Sequence, residues 1–377
     1  MAALLVGASL AACGTTDDEG GSGGGGGGDD AACAGKIGAM GALSGPNASI
    51  VIPSVNGAKL ALSQFLEENS DCDIELVPFD SEGDAAKATP LASQIADDAD
   101  FLGVIGGAFS GETRATKGIF DEAGVTMISQ SATATDLTTE DVKKVFHRVV
   151  GYDDIQGEAV ATYISDTLGA TKPFVVDNSE AYGEPLAATV ISSLGDAVAG
   201  TDKTQVGQTE FSATISKIEA ADADAVFYAG YIAEAAPLLK QIRDAGLEIP
   251  VVFPDGVYGA DFPKAAGSAG EGAIITCPCV PIEDGEFSSD YEAEFGEKPG
   301  AYAAEGFDAM TVFLDAIKSG ATDRAAVAEF VNSYDEPGLT KQIKFDDKGD
   351  ISVDNVVIWS YKVEGDVLVP DQEISLS

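Results

Sequence analysis

The sequence predicts an α/β protein made of two doubly wound, parallel-sheet lobes. Short apolar runs alternate with amphipathic stretches from residue 36 onward, and the alternation comes as two successive series. The 377 residues, 45% of them hydrophobic, are enough for two cores. In the first series an apolar run at 36–43 precedes a helical pattern at 53–66. Strand and helix patterns then alternate at 74–79, 85–96, 101–106 and 111–122, and strands at 125–129 and 145–150 close the series. The second series predicts helix 155–167, strand 174–176, helices 185–194 and 213–221, strand 225–228, helix 233–245, and strands 251–253 and 273–276. Helices at 291–295, 303–318 and 324–333 follow. The end is hairpin-like, with runs at 343–345 and 356–363 around a turn at Asp346-Asp347-Lys348-Gly349.

Residues 2–12 form an apolar run too short to span a bilayer but suited to the core of a signal peptide. Leu10-Ala11-Ala12-Cys13 resembles a bacterial lipobox, which makes Cys13 the expected lipid-bearing residue and residues 1–13 the leader. Residues 14–32, with six glycines at Gly23–Gly28, bury nothing and read as a tether. Lipid, tether and folded body together predict a protein held at the extracytoplasmic face of a membrane. Four other cysteines fit an exported, disulfide-forming chain. Cys33 and Cys72 each stand just before a predicted strand, and adjacent parallel strands would bring them together. Cys277-Pro278-Cys279 reads either as a tight local disulfide or as two free thiols.

With 63 acidic against 21 basic residues the net charge is −42, which argues against nucleic acid or anionic lipid as a partner. The single histidine, His147, leaves no His-rich metal site and only one base for a triad. Motifs for a nucleophile elbow, a zincin helix, a Walker loop and an EF-hand are absent from the sequence. The chemistry read here is therefore binding, with no catalytic residue, metal or cofactor expected.

Ligands of open α/β sheets bind beyond the carboxyl ends of strands. After the run 101–106 the chain turns through Gly107-Ala108-Phe109 into a helix near Ser110, where helix N–H groups and a hydroxyl suit a carboxylate. A second polar turn, Gln130-Ser131-Ala132-Thr133, follows 125–129. After 251–253 comes Pro254-Asp255-Gly256, whose carboxylate suits an ammonium. Tyr182, Tyr231 and Tyr302 also sit at strand ends or helix starts. A zwitterion needs donors at one end and an anion at the other, and these turns supply both.

The order and spacing of Gly41-Ala42-Leu43-Ser44-Gly45-Pro46, Ile128-Ser129, Tyr182-Gly183-Glu184, Phe211-Ser212, Gly230-Tyr231, Asp255-Gly256-Val257 and Phe345-Asp346-Asp347-Lys348-Gly349-Asp350 resemble the periplasmic leucine/isoleucine/valine-binding proteins, type I solute-binding components of ABC importers. The resemblance covers roughly residues 36–365. It implies two discontinuous lobes, 36–150 plus 280–338 and 151–279 plus 339–377, joined by three crossings near 150–151, 277–281 and 338–341. It implies that Ser110 and Thr133 hold a carboxylate, that the Ala132 carbonyl and Asp255 hold an α-amino group, and that Tyr182, Tyr231 and Tyr302 form cleft walls. Ile50 stands where the leucine binders carry an aromatic residue, and Gly83 and Phe109 stand where they carry a disulfide. The resemblance implies a monomer that captures a branched-chain or other hydrophobic amino acid for a membrane permease and its ATPase. An amide, urea or aromatic-acid ligand, or a sensor role, fits the same fold.

Overall fold

The structure is a computed structural model and describes residues 33–139, 145–282 and 284–376. The expected lipid site Cys13, the leader and the tether 14–32 lie outside the described residues. The first series is β1 (Ala34–Gly41), α1 (Ala48–Glu68), β2 (Asp73–Asp80), α2 (Ala85–Asp97), β3 (Phe101–Ile105), α3 (Ser110–Ala123), β4 (Thr126–Ser129), the short α4 (Asp136–Thr139) and β5 (Phe146–Arg148). Its strands form a five-stranded sheet in the order β2-β1-β3-β4-β5, parallel throughout. The second series is α5 (Asp153–Thr162), β6 (Pro173–Asp177), α6 (Gly183–Leu194), β7 (Gly200–Lys203), α7 (Ser212–Ala220), β8 (Ala225–Ala229), α8 (Ile232–Asp244), β9 (Val251–Phe253), α9 (Asp261–Ala266) and β10 (Ile274–Cys277). Then come α10 (Glu286–Phe295), α11 (Ala303–Lys318), α12 (Arg324–Asn332), a small hairpin β11 (Asp335–Pro337) and β12 (Gln342–Lys344), and finally β13 (Trp359–Glu364) and β14 (Val367–Glu373). The second sheet runs β14-β13-β10-β9-β8-β6-β7, parallel except where β13 meets β10 and β14.

The central strands are largely apolar because helices cover both faces of each sheet. β3, β6 and β8 are buried at every residue. The edge strand β7, Gly-Thr-Asp-Lys, alternates and is announced by no apolar run, and β14 lies mostly exposed. α1 begins at Ala48, five residues before Pro53, and this puts Ile50 in its first turn, buried. α1 and α11 meet so closely that side chains are excluded at two points. A Cβ on Gly57 would lie 1.9 Å from the Ala303 carbonyl oxygen, and one on Gly306 would lie 1.9 Å from that of Ser54.

Cys33 and Cys72 are joined beside the paired starts of β1 and β2, with Cα atoms 4.7 Å apart. Cys277 and Cys279 are also joined, at the end of β10. The chain passes from one sheet to the other at 149–152 and again between β10 and α10. The third passage differs from the expectation of 338–341. Gly338 to Lys341 is the turn of the β11–β12 hairpin, with Gly338 N–H donating to the Lys341 carbonyl at 2.7 Å. The residues after it stay beside β5: Arg148 N–H donates to the Gly349 carbonyl at 3.0 Å, and the His147 ring packs on Phe345. The third passage therefore lies within 351–358, and residues 339–350 stand with the first sheet. Among the described residues no helix is long and apolar enough to cross a membrane.

Candidate functional site

Both sheets reverse their winding next to the central cleft. In the first, β2 lies on one side of β1 and β3 on the other. In the second, β7 and β8 flank β6. The crevice at such a reversal is where the strand ends leave room for a ligand. The turns after β1, β3 and β4 meet those after β6, β8 and β9 around a narrow, nearly closed cavity. Ile50, Ser110, Thr133, Tyr182, Tyr231, Asp255 and Tyr302 all line it. Of the ligand residues expected from the sequence, only Ala132 is not on the cavity surface; it is buried between Ser131 and Thr133, which are. Its carbonyl accepts a hydrogen bond from Arg148 Nη1 at 3.2 Å.

Beside Ile50, Phe109 and Tyr302, the first lobe's wall is made of small groups held from behind. Ser129 Oγ donates to the Gly107 carbonyl at 2.7 Å and accepts from Ala132 N–H at 2.9 Å, tying the β3 and β4 turns together. Glu112, in the first turn of α3, accepts from the Ala108 and Phe109 N–H groups at 3.1 and 3.3 Å. Burial pushes its carboxyl up to about 7, against the pull of these bonds. Ser110 Oγ accepts from Ala134 N–H at 3.2 Å. Arg148 is fully buried under the loop. It pairs with Asp350 at 2.5 Å and donates to the carbonyls of Ala132 and Ala134 and to the Thr138 hydroxyl.

The opposite wall, built on the second lobe with Tyr302 reaching across from the start of α11, is aromatic and acidic. Asp255 lies in a 3-10 turn after β9, buried. Its Oδ1 accepts from Tyr182 at 2.5 Å and from Gln156 Nε2 at 2.8 Å; its Oδ2 accepts from Tyr302 at 2.6 Å. All three donors are neutral. Burial raises the Asp255 carboxyl to about 6, and the two tyrosine hydroxyls hold it from rising further. The same burial, with the Asp255 charge beside them, pushes the Tyr182 and Tyr302 hydroxyls well above their ordinary range, so both remain donors. Tyr302 is set in the left-handed region, φ +56°, a strained conformation for a bulky residue, and this turns its ring into the cleft ahead of α11.

The lobes touch across the cavity. The Phe109 ring meets Tyr231 edge-on at 5.4 Å, Tyr231 stacks on Tyr182 at 5.3 Å, and Arg114 Nη2 reaches the Ala181 carbonyl at 3.3 Å. His147 is elsewhere, buried on β5 with Nε2 beside Asn332 Oδ1 at 3.1 Å. Three residues around the site are given no role by the sequence: Ser131, although it stands in the polar turn named above, Asp153 and Gln156. Ser131 lines the cavity and Gln156 bonds Asp255 directly. Asp153 follows a strand at a helix start, the same signal that marks Ser110, but an acid there reads first as a helix cap. Gln156 is an interior helix residue and carries no local signal.

A model of the periplasmic binding protein family matches residues 35–361. The chain is 29% identical over 337 residues to the leucine-, isoleucine-, valine-, threonine- and alanine-binding protein of Pseudomonas aeruginosa, spanning 86% of this chain and 89% of that one. It is 26% identical to the Leu/Ile/Val-binding protein of Escherichia coli, over 88% and 91% of the two chains. Among solved structures, a leucine-binding protein from Thermotoga maritima superposes with a TM-score of 0.81 at 25% identity, covering 90% of this chain and 98% of that one. A branched-chain amino acid transporter substrate-binding protein from Streptococcus pneumoniae, in complex with isoleucine, shares the fold with a TM-score of 0.82 at 24% identity and the same coverage. Since the family match runs from β1 into β13 and so takes in both sheets and every turn that lines the cleft, the chain belongs to the periplasmic binding protein family.

Proposed function

We propose that this chain is the extracytoplasmic substrate-binding component of an ABC importer and captures a branched-chain or other hydrophobic amino acid between its lobes. The observation that carries this reading is the polarity of the cleft. On one side lies Asp255, a buried carboxylate whose partners are three neutral donors and which an ammonium would neutralise. Facing it are the Ser110 and Thr133 hydroxyls and the opening turn of α3, which suit a carboxylate. Ile50, Phe109 and Tyr231 supply the apolar remainder. Exclusion of water by lobe closure strengthens both polar ends at once. The relatives from Pseudomonas aeruginosa and Escherichia coli are named for leucine, isoleucine and valine among their ligands.

In this reading Ser110 and Thr133 hold the ligand's carboxylate, the Ala132 carbonyl and Asp255 hold its ammonium, and Tyr182, Tyr231, Tyr302 and Ile50 shape the space for its side chain. Cys13 carries the lipid, the tether 14–32 spaces the body from the membrane, and the loaded monomer docks on a permease coupled to an ATPase. Titration calorimetry of the body against leucine, isoleucine, valine, threonine and alanine tests the ligand class, with acetamide, urea and benzoate as controls. Saturable binding of an aliphatic amino acid is expected. Binding of a control in place of every amino acid removes the zwitterion reading. Release of the Cys13→Ser protein from membranes tests the anchor.

A further inference from the structure

The cleft holds a second buried carboxyl that amino-acid capture, as described, leaves unused. Asp153 opens α5 and is 1% exposed; its own N–H crosses the cleft floor to the Thr133 carbonyl at 2.8 Å. Gln156 Nε2 donates at once to Asp153 Oδ1 at 3.1 Å and to Asp255 Oδ1 at 2.8 Å. Two carboxyls thus share one amide, with their nearest oxygens within about 6 Å, a separation at which buried like charges resist joint ionisation. Their surroundings are unequal. Asp255 accepts from three donors, whereas Asp153 Oδ2 lies beside the Thr133 hydroxyl without a well-formed hydrogen bond. The carboxyl with fewer donors is the one that keeps a proton. Burial and the Asp255 charge push Asp153 up to about 8, while Asp255 reaches only about 6.

The charged groups around Asp153 do not reverse this order: of those that line a neighbouring cavity with it, Arg114 is paired with Asp136 at 2.6 Å, and Glu180 and Glu184 are themselves acids. Arg148, from β5, favours the ionised form, but its hydrogen bonds are spent on Asp350, Thr138 and the Ala132 and Ala134 carbonyls. Asp154, on the same helix, is bonded to Thr135 Oγ1 at 2.9 Å. Tyr182, Tyr231 and Tyr302 approach from α6, α8 and α11 and stay neutral, each pushed up by burial first and by the Asp255 charge next.

We infer that Asp153 is a positioning residue that holds a proton in the empty cleft and releases it to solvent when an ammonium docks on Asp255, so that ligand capture at neutral pH is coupled to proton release. The arriving positive charge stabilises both carboxylates, and the proton leaves through ordinary acid dissociation to the buffer. The inference rests on the ammonium reading above. It predicts that the leucine dissociation constant falls as pH rises from about 6 to about 8, by up to about tenfold per unit. Calorimetry in two buffers of different ionisation heat should count up to one proton released per leucine bound. In Asp153→Asn, which mimics the protonated carboxyl, the count should drop to zero and the pH profile should flatten above pH 6. Equal proton release by wild type and Asp153→Asn, or none by wild type, overturns the inference. A ligand-independent measurement separates the two readings: in the empty protein, the side-chain carboxyl ¹³C resonance lost in Asp153→Asn should titrate above pH 7. Titration below pH 5 overturns the present inference alone, whereas failure to bind any amino acid removes the ammonium reading and the coupled release with it.

Discussion

The two walls of the cleft are built on opposite plans. The polar part of the first lobe's wall presents Ser110, Ser131 and Thr133, small residues whose positions are set by groups behind them: Ser129, Glu112 and above all the buried Arg148–Asp350 pair. The second presents Tyr182, Tyr231 and Asp255, large side chains that are themselves the surface. In the first wall the residues that matter most for geometry do not line the cavity. In the second the lining residues carry the chemistry. Substitutions behind the first wall should therefore damage folding first and binding as a consequence, and substitutions in the second should damage binding while the fold survives.

The largest effect should come from behind the first wall. Removing one partner of a buried ion pair leaves an uncompensated charge and typically costs about 3–5 kcal/mol. Arg148 is fully buried, and Asp350 nearly so. Asp350→Ala should therefore lower stability by about 3–5 kcal/mol in denaturant unfolding, and should loosen the Ala132–Ala134 carbonyls that Arg148 holds. The double variant Arg148→Met with Asp350→Leu should recover much of the stability without restoring the loop. If Asp350→Ala unfolds like wild type, the two plans are not as different as they look.

Asp255→Asn tests the other plan. It keeps the shape of the residue and an oxygen to accept from Tyr182 and Gln156, but removes the charge. Losing one side of a desolvated charge pair costs about 2–5 kcal/mol of binding, roughly 30-fold to several thousand-fold in affinity. Calorimetry with leucine should find that loss, while the melting temperature stays near wild type or rises. An Asp255→Asn protein that binds leucine normally would falsify the assignment of the ammonium to this wall.

Much of this arrangement is legible in the sequence, for a definite reason. Strands buried on both faces must be largely apolar, so β3, β6 and β8 stand out, and the polar turns directly after them become conspicuous. Ser110, Tyr182 and Tyr231 are readable in that way, and Thr133 and Asp255 likewise from the buried strands β4 and β9. What escaped depends on contacts distant in sequence. Gln156 matters only because it meets Asp255, 99 residues away. The third passage was misplaced because residues 345–350 stay beside β5 through contacts such as Arg148 with Asp350, 202 residues apart. The close approach of α1 and α11 shows in Gly57 and Gly306 only once the helices are known to be neighbours.

Both plans bury acids, and that sets the pH dependence of stability. Glu112 and Glu305 on the first side are pushed up to about 7, and Asp153 and Asp255 on the second to about 8 and about 6, burial being the main cause in each. Between about pH 4 and pH 8 the folded chain then binds more protons than the unfolded chain, so stability falls as pH rises, by up to about 1.4 kcal/mol per unit for each proton. His147 works the other way: burial lowers its value, so its contribution is lost as pH falls below about 6.5. Four acids outweigh one histidine. Thermal unfolding in high salt, which screens the net charge of −42, should give a higher melting temperature near pH 5.5 than near pH 8. Asp153→Asn should flatten the upper part of the slope, and Glu112→Gln the middle. A rising profile across this window would show that the acids are ionised in the fold.

The smallest effect should come from the surface of the first wall itself. Thr133 is buried, its backbone carbonyl holds Asp153 N–H, and its hydroxyl makes no well-formed hydrogen bond. Thr133→Val keeps the shape and the backbone contact. It removes a buried hydroxyl that gains little in the empty protein, so the change should be neutral to slightly stabilising. If that hydroxyl donates to the ligand's carboxylate, leucine affinity should fall by about 1.5 kcal/mol, roughly tenfold, because the opening turn of α3 still offers backbone donors. Ser110→Ala makes the contrast sharper. Its Oγ already accepts from Ala134 N–H, so truncation leaves a buried donor without its partner and should lower stability by about 1 kcal/mol as well as affinity. Unfolding and calorimetry on the two variants together decide between a wall that recognises through its scaffold and one that recognises through its side chains. An affinity loss in Thr133→Val as deep as that in Asp255→Asn would mean that the first wall, too, works through its lining residues, and the comparison would collapse. No loss at all would place the carboxylate entirely on backbone groups, the first plan carried to its limit.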